Sequence, residues 1–182
     1  MQFVPTRIEA VVLIKPKVFG DSRGFFMETW HEEKFAAAGI TARFVQDNHS
    51  RSGRWTLRGL HYQIRQPQGK LVRVVQGSVF DVAVDLRASS RTFGQWVGVE
   101  LDDRNHHMLW IPPGFAHGFL ALSENVDFLY KCTDFYAPQH ERSVAWNDPR
   151  IGIEWPLPAG VSPLVGPKDA AAPGIDRAEV FQ

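Results

Sequence analysis

Leu71-Val72-Arg73-Val74-Val75-Gln76-Gly77-Ser78-Val79-Phe80-Asp81-Val82-Ala83-Val84-Asp85-Leu86 is the stretch on which the fold turns. Two runs rich in β-branched residues flank Gln76-Gly77, and glycine reaches the backbone conformations that a tight reversal needs. The spacing predicts a hairpin with arms over 71–75 and 78–86. In the second arm Phe80, Val82, Val84 and Leu86 share one face, and Val79, Asp81, Ala83 and Asp85 share the other. One face of this strand therefore carries two acids.

The same pattern of short apolar runs continues on both sides. Strands are predicted at 95–101, 108–111, 116–122, 126–133 and 143–146, with Pro112-Pro113-Gly114 as a sharp turn. One helix stands out: Thr29 with Glu32 three residues later has the capping-box pattern, Phe35-Ala36-Ala37-Ala38 continues it, and Gly39 ends it. Many short strands with one or two short helices imply an all-β antiparallel sandwich or barrel, a jelly roll first among them. No repeat or polar linker divides the chain before Pro156, so 1–182 reads as a single domain with a Pro/Gly/Ala-rich tail from about 156.

The 182 residues carry 20 basic and 20 acidic side chains, and this zero net charge predicts no attraction to nucleic acid or to an anionic membrane. The charge is unevenly spread. From Arg43 to Arg73 seven bases face one acid, Asp47, a segment suited to an anionic ligand or to plain solvation. The apolar run Val11–Ile14 ends at Lys15-Pro16, too short for a signal-peptide core or a membrane span. A lone cysteine, Cys132, cannot staple the fold, and a reducing cytoplasm is the expected location.

Seven histidines invite a metal hypothesis, but no Cys-x-x-Cys, His-Glu-x-x-His or close His-x-His pair is present. His106 and His107 are neighbours, which on a strand point to opposite faces. No metal site is expected. Glycine-rich phosphate loops and Gly-x-Ser-x-Gly elbows are missing as well. What remains is polar interruption of strands at Gln46-Asp47-Asn48-His49-Ser50 and Leu57-Arg58-Gly59-Leu60-His61-Tyr62-Gln63. Alternation puts Arg58, Leu60 and Tyr62 on one face and Leu57, Gly59, His61 and Gln63 on the other. Beside side-chain-free Gly59, His61 has room for a ligand over its ring, although an isolated histidine on a strand is more often a hydrogen-bonded structural residue.

Six blocks carry a resemblance: Asp21–Phe26, Phe44–Ser50, Leu57–Gln63, Gly69–Arg73, Val79–Arg87 and Trp110–Phe119 resemble the dTDP-4-dehydrorhamnose 3,5-epimerase family, in order and over nearly the whole chain. The resemblance implies a cupin-type jelly roll, a homodimer, no cofactor, and a dTDP-4-keto-6-deoxy sugar inverted at the two carbons flanking its ketone. Each of those carbons is acidic because its carbanion is an enolate, so a base, an oxyanion partner and an acid on the opposite face are needed. By the same resemblance His61 is the base, Asp169 its partner, Lys70 the contact to the C4 oxygen and Tyr130 the acid. Arg23 and Arg58 are implied for the diphosphate, and Glu28, Gln46, Asp47 and Asn48 for the nucleoside end. Tyr136 is implied to stack on the base, with His117, Glu141 and Lys168 as further contacts. From the residues alone Lys70 could be a solvated lysine and Tyr130 a core tyrosine. Of the family's Leu-Ser-x-Lys-Asp stretch only Lys168 and Asp169 match, Gly166 standing where the serine would be.

Three alternatives stay open on sequence: a related epimerase acting at C3 only or C5 only, a metal-dependent cupin using His61 and His117, and a non-catalytic sugar-nucleotide binding module.

Overall fold

A computed structural model describes residues 1–182. In chain order the strands and helices are β1 (Gln2–Pro5), β2 (Val12–Lys15), β3 (Val18–Asp21), β4 (Gly24–Met27), α1 (Glu32–Ala37), β5 (Gln46–Ser52), β6 (Thr56–Gln63), β7 (Lys70–Gln76), β8 (Ser78–Asp85), β9 (Trp96–Asp102), β10 (Met108–Ile111), β11 (Phe115–Ala121), β12 (Val126–Cys132), β13 (Glu141–Ser143), β14 (Leu164–Val165) and α2 (Pro167–Ala170). Two antiparallel sheets form a sandwich, ordered β1-β2-β10-β7-β12-β5 and β13-β6-β11-β8-β9. Short β14 adds to β6 in parallel. This is the all-β architecture expected, with two short helices.

The predicted hairpin is corrected. β7 pairs with β10 and β12, whereas β8 pairs with β11 and β9, so Gln76-Gly77 carries the chain from one sheet to the other. Side chains from both arms explain this. Val72 and Val74 of β7 meet Val79 and Ala83 of β8 in the apolar layer between the sheets, so the arms bury their inner faces against each other. Gly77 has φ of +80°, and a Cβ there would lie 2.2 Å from the carbonyl oxygen of Asn125, so only glycine fits the corner. Pro112-Pro113-Gly114 makes the same kind of crossing from β10 to β11.

The helix expected from Thr29 begins later, at Glu32, with His31 as N-cap and no side-chain cap bond. Gly39 follows its end with φ of +83°, the left-handed position expected there. Buried Phe35 is the reason the helix docks: with Ile14, Ile40, Leu71, Met108 and Trp110 it forms an apolar cluster on the outer face of the six-stranded sheet. The last predicted strand lies earlier, at 141–143 rather than 143–146.

The five-stranded sheet is covered on its outer face by the C-terminal tail. Leu60, Tyr62, Val82, Val84 and Leu86 pack there against Trp155, Ile175 and Phe181. That covering brings α2 back across β6. Between the sheets, the apolar layer ends at Phe119 and Phe128, whose rings stack at 4.4 Å, and polar residues take over toward one end of the sandwich. Burying each such ring contributes about 1.5–3 kcal/mol. No helix is long and apolar enough to cross a membrane.

Candidate active site

Polar side chains from β5, β6, β7 and β12 converge where the apolar layer stops. A cavity of about 310 Å³ opens to solvent there, lined by Gln46, Asn48, His61, Gln63, Gln68, Lys70, Tyr130, Tyr136 and Glu141. A second chamber of about 230 Å³ lies further in, lined by Ser50, Arg58, His61, Lys70, His117, Phe128, Tyr130 and Asp169. His61, Lys70 and Tyr130 border both. Anything spanning the two chambers must pass these three side chains.

Pairing explains why they meet. His61 of β6 lies opposite His117 of β11, and Arg58 lies opposite Phe119, so β6 carries one extra residue between those pairs. That bulge turns Arg58 to the same side as His61. Strict alternation had put them on opposite faces. The space expected beside Gly59 is also corrected: a Cβ on Gly59 would lie 2.5 Å from the Cα of Gly118, so the backbone of β11 fills it. Glycine at 59, with φ of +127°, serves close strand approach rather than ligand access.

Asp169 arrives from α2. Its Oδ1 lies 2.6 Å from His61 Nε2, and its Oδ2 accepts the Gly59 N–H at 3.0 Å. Burial pushes this carboxyl up, but the bonds from His61 and Gly59 outweigh it and hold Asp169 below the usual carboxylate range. An ionised acceptor on Nε2 favours a proton there, leaving the Nδ1 lone pair as the basic site.

Lys70 begins β7, and its Nζ reaches the His61 carbonyl at 3.4 Å. Burial pulls its ammonium down, while Cys132, Asp81 and Glu141 pull it back up. Tyr130 shares an inward face with Phe128, whose ring centroid is 6.1 Å away. Burial pushes its phenol up, so it keeps its proton at neutral pH. Buried His117 bonds Asp81 at 2.9 Å, and burial pulls its imidazole down toward the neutral form. The other oxygen of Asp81 is buried with no partner.

At the mouth, Tyr136 donates its hydroxyl to Glu141 at 2.9 Å, and Lys168 pairs with the same carboxylate. Gln46 accepts the Tyr136 N–H at 2.9 Å and donates to Asn48 at 3.1 Å. Arg58 bonds Ser52 Oγ at 3.0 Å and the Arg51 carbonyl at 3.1 Å. Three expected contacts are not brought here. Asp47 points to the outer face of its strand and pairs with Lys131, because strand neighbours alternate. Arg23 sits at the tip of the exposed β3–β4 hairpin, paired with Asp21, and Glu28 just after it pairs with Lys34. Conversely Ser50, Gln63, Gln68 and Asp81 take part in or line the site without having been given a role from the sequence. For Asp81 a signal existed: an acid on an inward strand face needs a partner. No three His, Cys, Asp or Glu side chains are grouped so as to hold a metal ion.

Comparison with known proteins shows the family. The family model described as dTDP-4-dehydrorhamnose 3,5-epimerase matches residues 5–177. A relative of that name from Pseudomonas aeruginosa is 57% identical over 175 residues, covering 96% of either chain. The Legionella pneumophila dTDP-6-deoxy-D-glucose-3,5-epimerase, solved with dTDP-4-keto-L-rhamnose, superposes with a TM-score of 0.94 at 50% identity, over 100% of this chain and 98% of that one. The 3'-monoepimerase ChmJ from Streptomyces bikiniensis, solved with dTDP-quinovose, gives a TM-score of 0.88 at 34% identity, over 94% of this chain and 87% of that one. With the family model matching residues 5–177 and relatives at least half identical over nearly the whole chain, this protein belongs to the dTDP-4-dehydrorhamnose 3,5-epimerase family.

Proposed function

We propose that the chain converts dTDP-4-dehydro-6-deoxy-D-glucose to dTDP-4-dehydro-L-rhamnose by inverting C3 and C5. The observation that carries this is the junction of the two chambers, where a base, a cation and a protonated phenol are the only side chains common to both. His61 takes the proton from the carbon next to the ketone through Nδ1, and Asp169 steadies the imidazolium that results. Electron density moves to the C4 oxygen, where the Lys70 ammonium stabilises an enolate more than a neutral ketone. Tyr130 gives its proton to the opposite face of the carbon; His61 then releases the abstracted proton to solvent and Tyr130 regains one from it, so the same steps can run at the second carbon. Arg58 sits among the chamber residues as a diphosphate partner, and Tyr136 at the mouth offers a ring to the thymine.

The 3,5-epimerase relatives at 57% and 50% identity, against 34% for the 3'-monoepimerase, support two inversions rather than one. Incubation with the 4-keto sugar, followed by proton NMR, tests this. Product inverted at both carbons is expected. Inversion at one carbon would make the chain a single-site epimerase, and tight dTDP binding with no turnover would leave only a binding module.

We propose further that the active form is a homodimer. Phe19, Phe25 and Phe26 on the β3–β4 hairpin are 53%, 60% and 69% exposed, a patch that a second copy would cover. Arg23 and Glu28 stand on and just after that hairpin, outside this chain's own cavity. Docked on a partner they could reach its nucleotide. The single buried thiol of Cys132 suits a reducing cytoplasm.

A further inference from the structure

The segment that presents Tyr136 is held in place by glutamine side chains. Gln63, 3% exposed, accepts the Ala137 N–H at 2.8 Å and donates to the Phe135 carbonyl at 3.2 Å and the Gln66 carbonyl at 2.8 Å. Gln68 donates to the Asp134 carbonyl at 2.9 Å, and Gln46 accepts the Tyr136 N–H. Backbone polar groups on either side of Tyr136 are therefore satisfied by side chains of β5, β6 and the loop after β6, in place of a sheet ladder.

An amide has two N–H donors, and both of those on Gln63 are committed to backbone carbonyls. Its oxygen is committed as well. Although it borders the cavity, Gln63 therefore has no donor to offer a ligand, and it acts as a strut. The Tyr136 ring, by contrast, is free to meet one: the residue is 52% exposed, and its one side-chain bond is the hydroxyl to Glu141. Gln63 also stands two positions from His61 on the same strand. The strut thus links the ring at the mouth to the strand that carries the reacting histidine.

We infer that Gln63 is a positioning residue that sets nucleotide affinity by holding Tyr136 at a fixed distance from His61. This rests on the reading of Tyr136 as the stacking partner of the base. Aromatic–base stacking is worth about 1–3 kcal/mol, so Tyr136→Ala should weaken dTDP binding about 5- to 150-fold. Gln63→Leu should weaken it in the same direction, raising KM more than it lowers kcat.

The test is a double-mutant cycle on the Kd for dTDP, measured calorimetrically on the full chain, with kcat and KM for the 4-keto sugar alongside. In the Tyr136→Ala background, Gln63→Leu should cost little more. Additive losses, or a kcat loss with KM unchanged, would overturn the inference, as would a Gln63→Leu chain that binds like the parent while Tyr136→Ala does not. Should Tyr136→Ala itself bind dTDP as tightly as the parent, the stacking reading falls and the inference with it. If Gln63→Leu does not fold, half-buried Gln68→Ala removes one bond from the same segment and enters the same cycle. It should show the same non-additivity, and additivity there would equally overturn the inference.

Discussion

Replacing Asp169 by asparagine should leave the fold intact and lower kcat about 30- to 900-fold. The magnitude follows from the 2.6 Å contact between Asp169 and His61. As His61 takes up a proton it becomes a cation beside an ionised carboxylate. Two unit charges about 4 Å apart at an effective dielectric near 20 interact by about 4 kcal/mol, and a hydrogen bond to a charged group has a net worth of about 1.5–3 kcal/mol. A loss of about 2–4 kcal/mol of transition-state stabilisation gives that range of rates. Asparagine cannot avoid it. Asp169 accepts from His61 on one oxygen and from the Gly59 N–H on the other. An amide has one oxygen, so its NH2 must oppose either the imidazole or the Gly59 N–H. Facing the imidazole, it favours a proton on Nδ1 and removes the base; facing Gly59, it leaves a buried donor unsatisfied. The assay is kcat at saturating 4-keto sugar, with the melting temperature as the fold control. A variant that melts with the parent and retains kcat within about threefold would refute the reasoning.

Gly59→Ala should destabilise by about 3 kcal/mol or more, because the new Cβ would meet the Gly118 backbone at 2.5 Å and φ is +127°; an unchanged urea midpoint would contradict this. Asp85 should shape acid stability. Burial pushes its fully buried carboxyl up, but bonds from Arg87, Ser90 and Thr92 win and hold it at about 2. A pKa lowered on folding stabilises at neutral pH, here by about 2 kcal/mol, and that stability is present above about pH 4 and lost as pH falls toward 2. Asp85→Asn should shrink the stability difference between those limits by that amount, and an unaltered pH dependence would reject the assignment. Sedimentation should give twice the chain mass, with Phe26→Asp shifting it toward one chain; a monomeric parent would end the dimer proposal.

Alternation and turn chemistry made most strands legible, because a two-residue period of burial is local information. Partnership between strands was not. Gln76-Gly77 carries the signal of a hairpin, yet which sheet each arm joins depends on Val72, Val74, Val79 and Ala83 meeting across the sandwich, a contact written nowhere in the turn itself. The bulge that turns Arg58 toward His61 depends in the same way on the register with β11. His61 was reachable because it stands in a polar run that the resemblance also marks, whereas Lys70 and Tyr130 came through the resemblance, their residues alone reading as a solvated lysine and a core tyrosine. Asp169 came through resemblance alone, and it meets His61 only because the tail folds back over β6. Arg23 and Glu28 fall outside the cavity since a single chain does not bring the hairpin to it. Gln63 was hidden for another reason: its bonds go to backbone groups, and those leave no mark in side-chain spacing.

The most direct test of the central claim is solvent exchange during turnover. With dTDP-4-dehydro-6-deoxyglucose in deuterated water, the parent should place deuterium at both C3 and C5. His61→Ala should show exchange at neither, and Tyr130→Phe should allow some exchange while impairing inversion. A His61→Ala variant that still exchanges both carbons at the parent's rate would contradict the account.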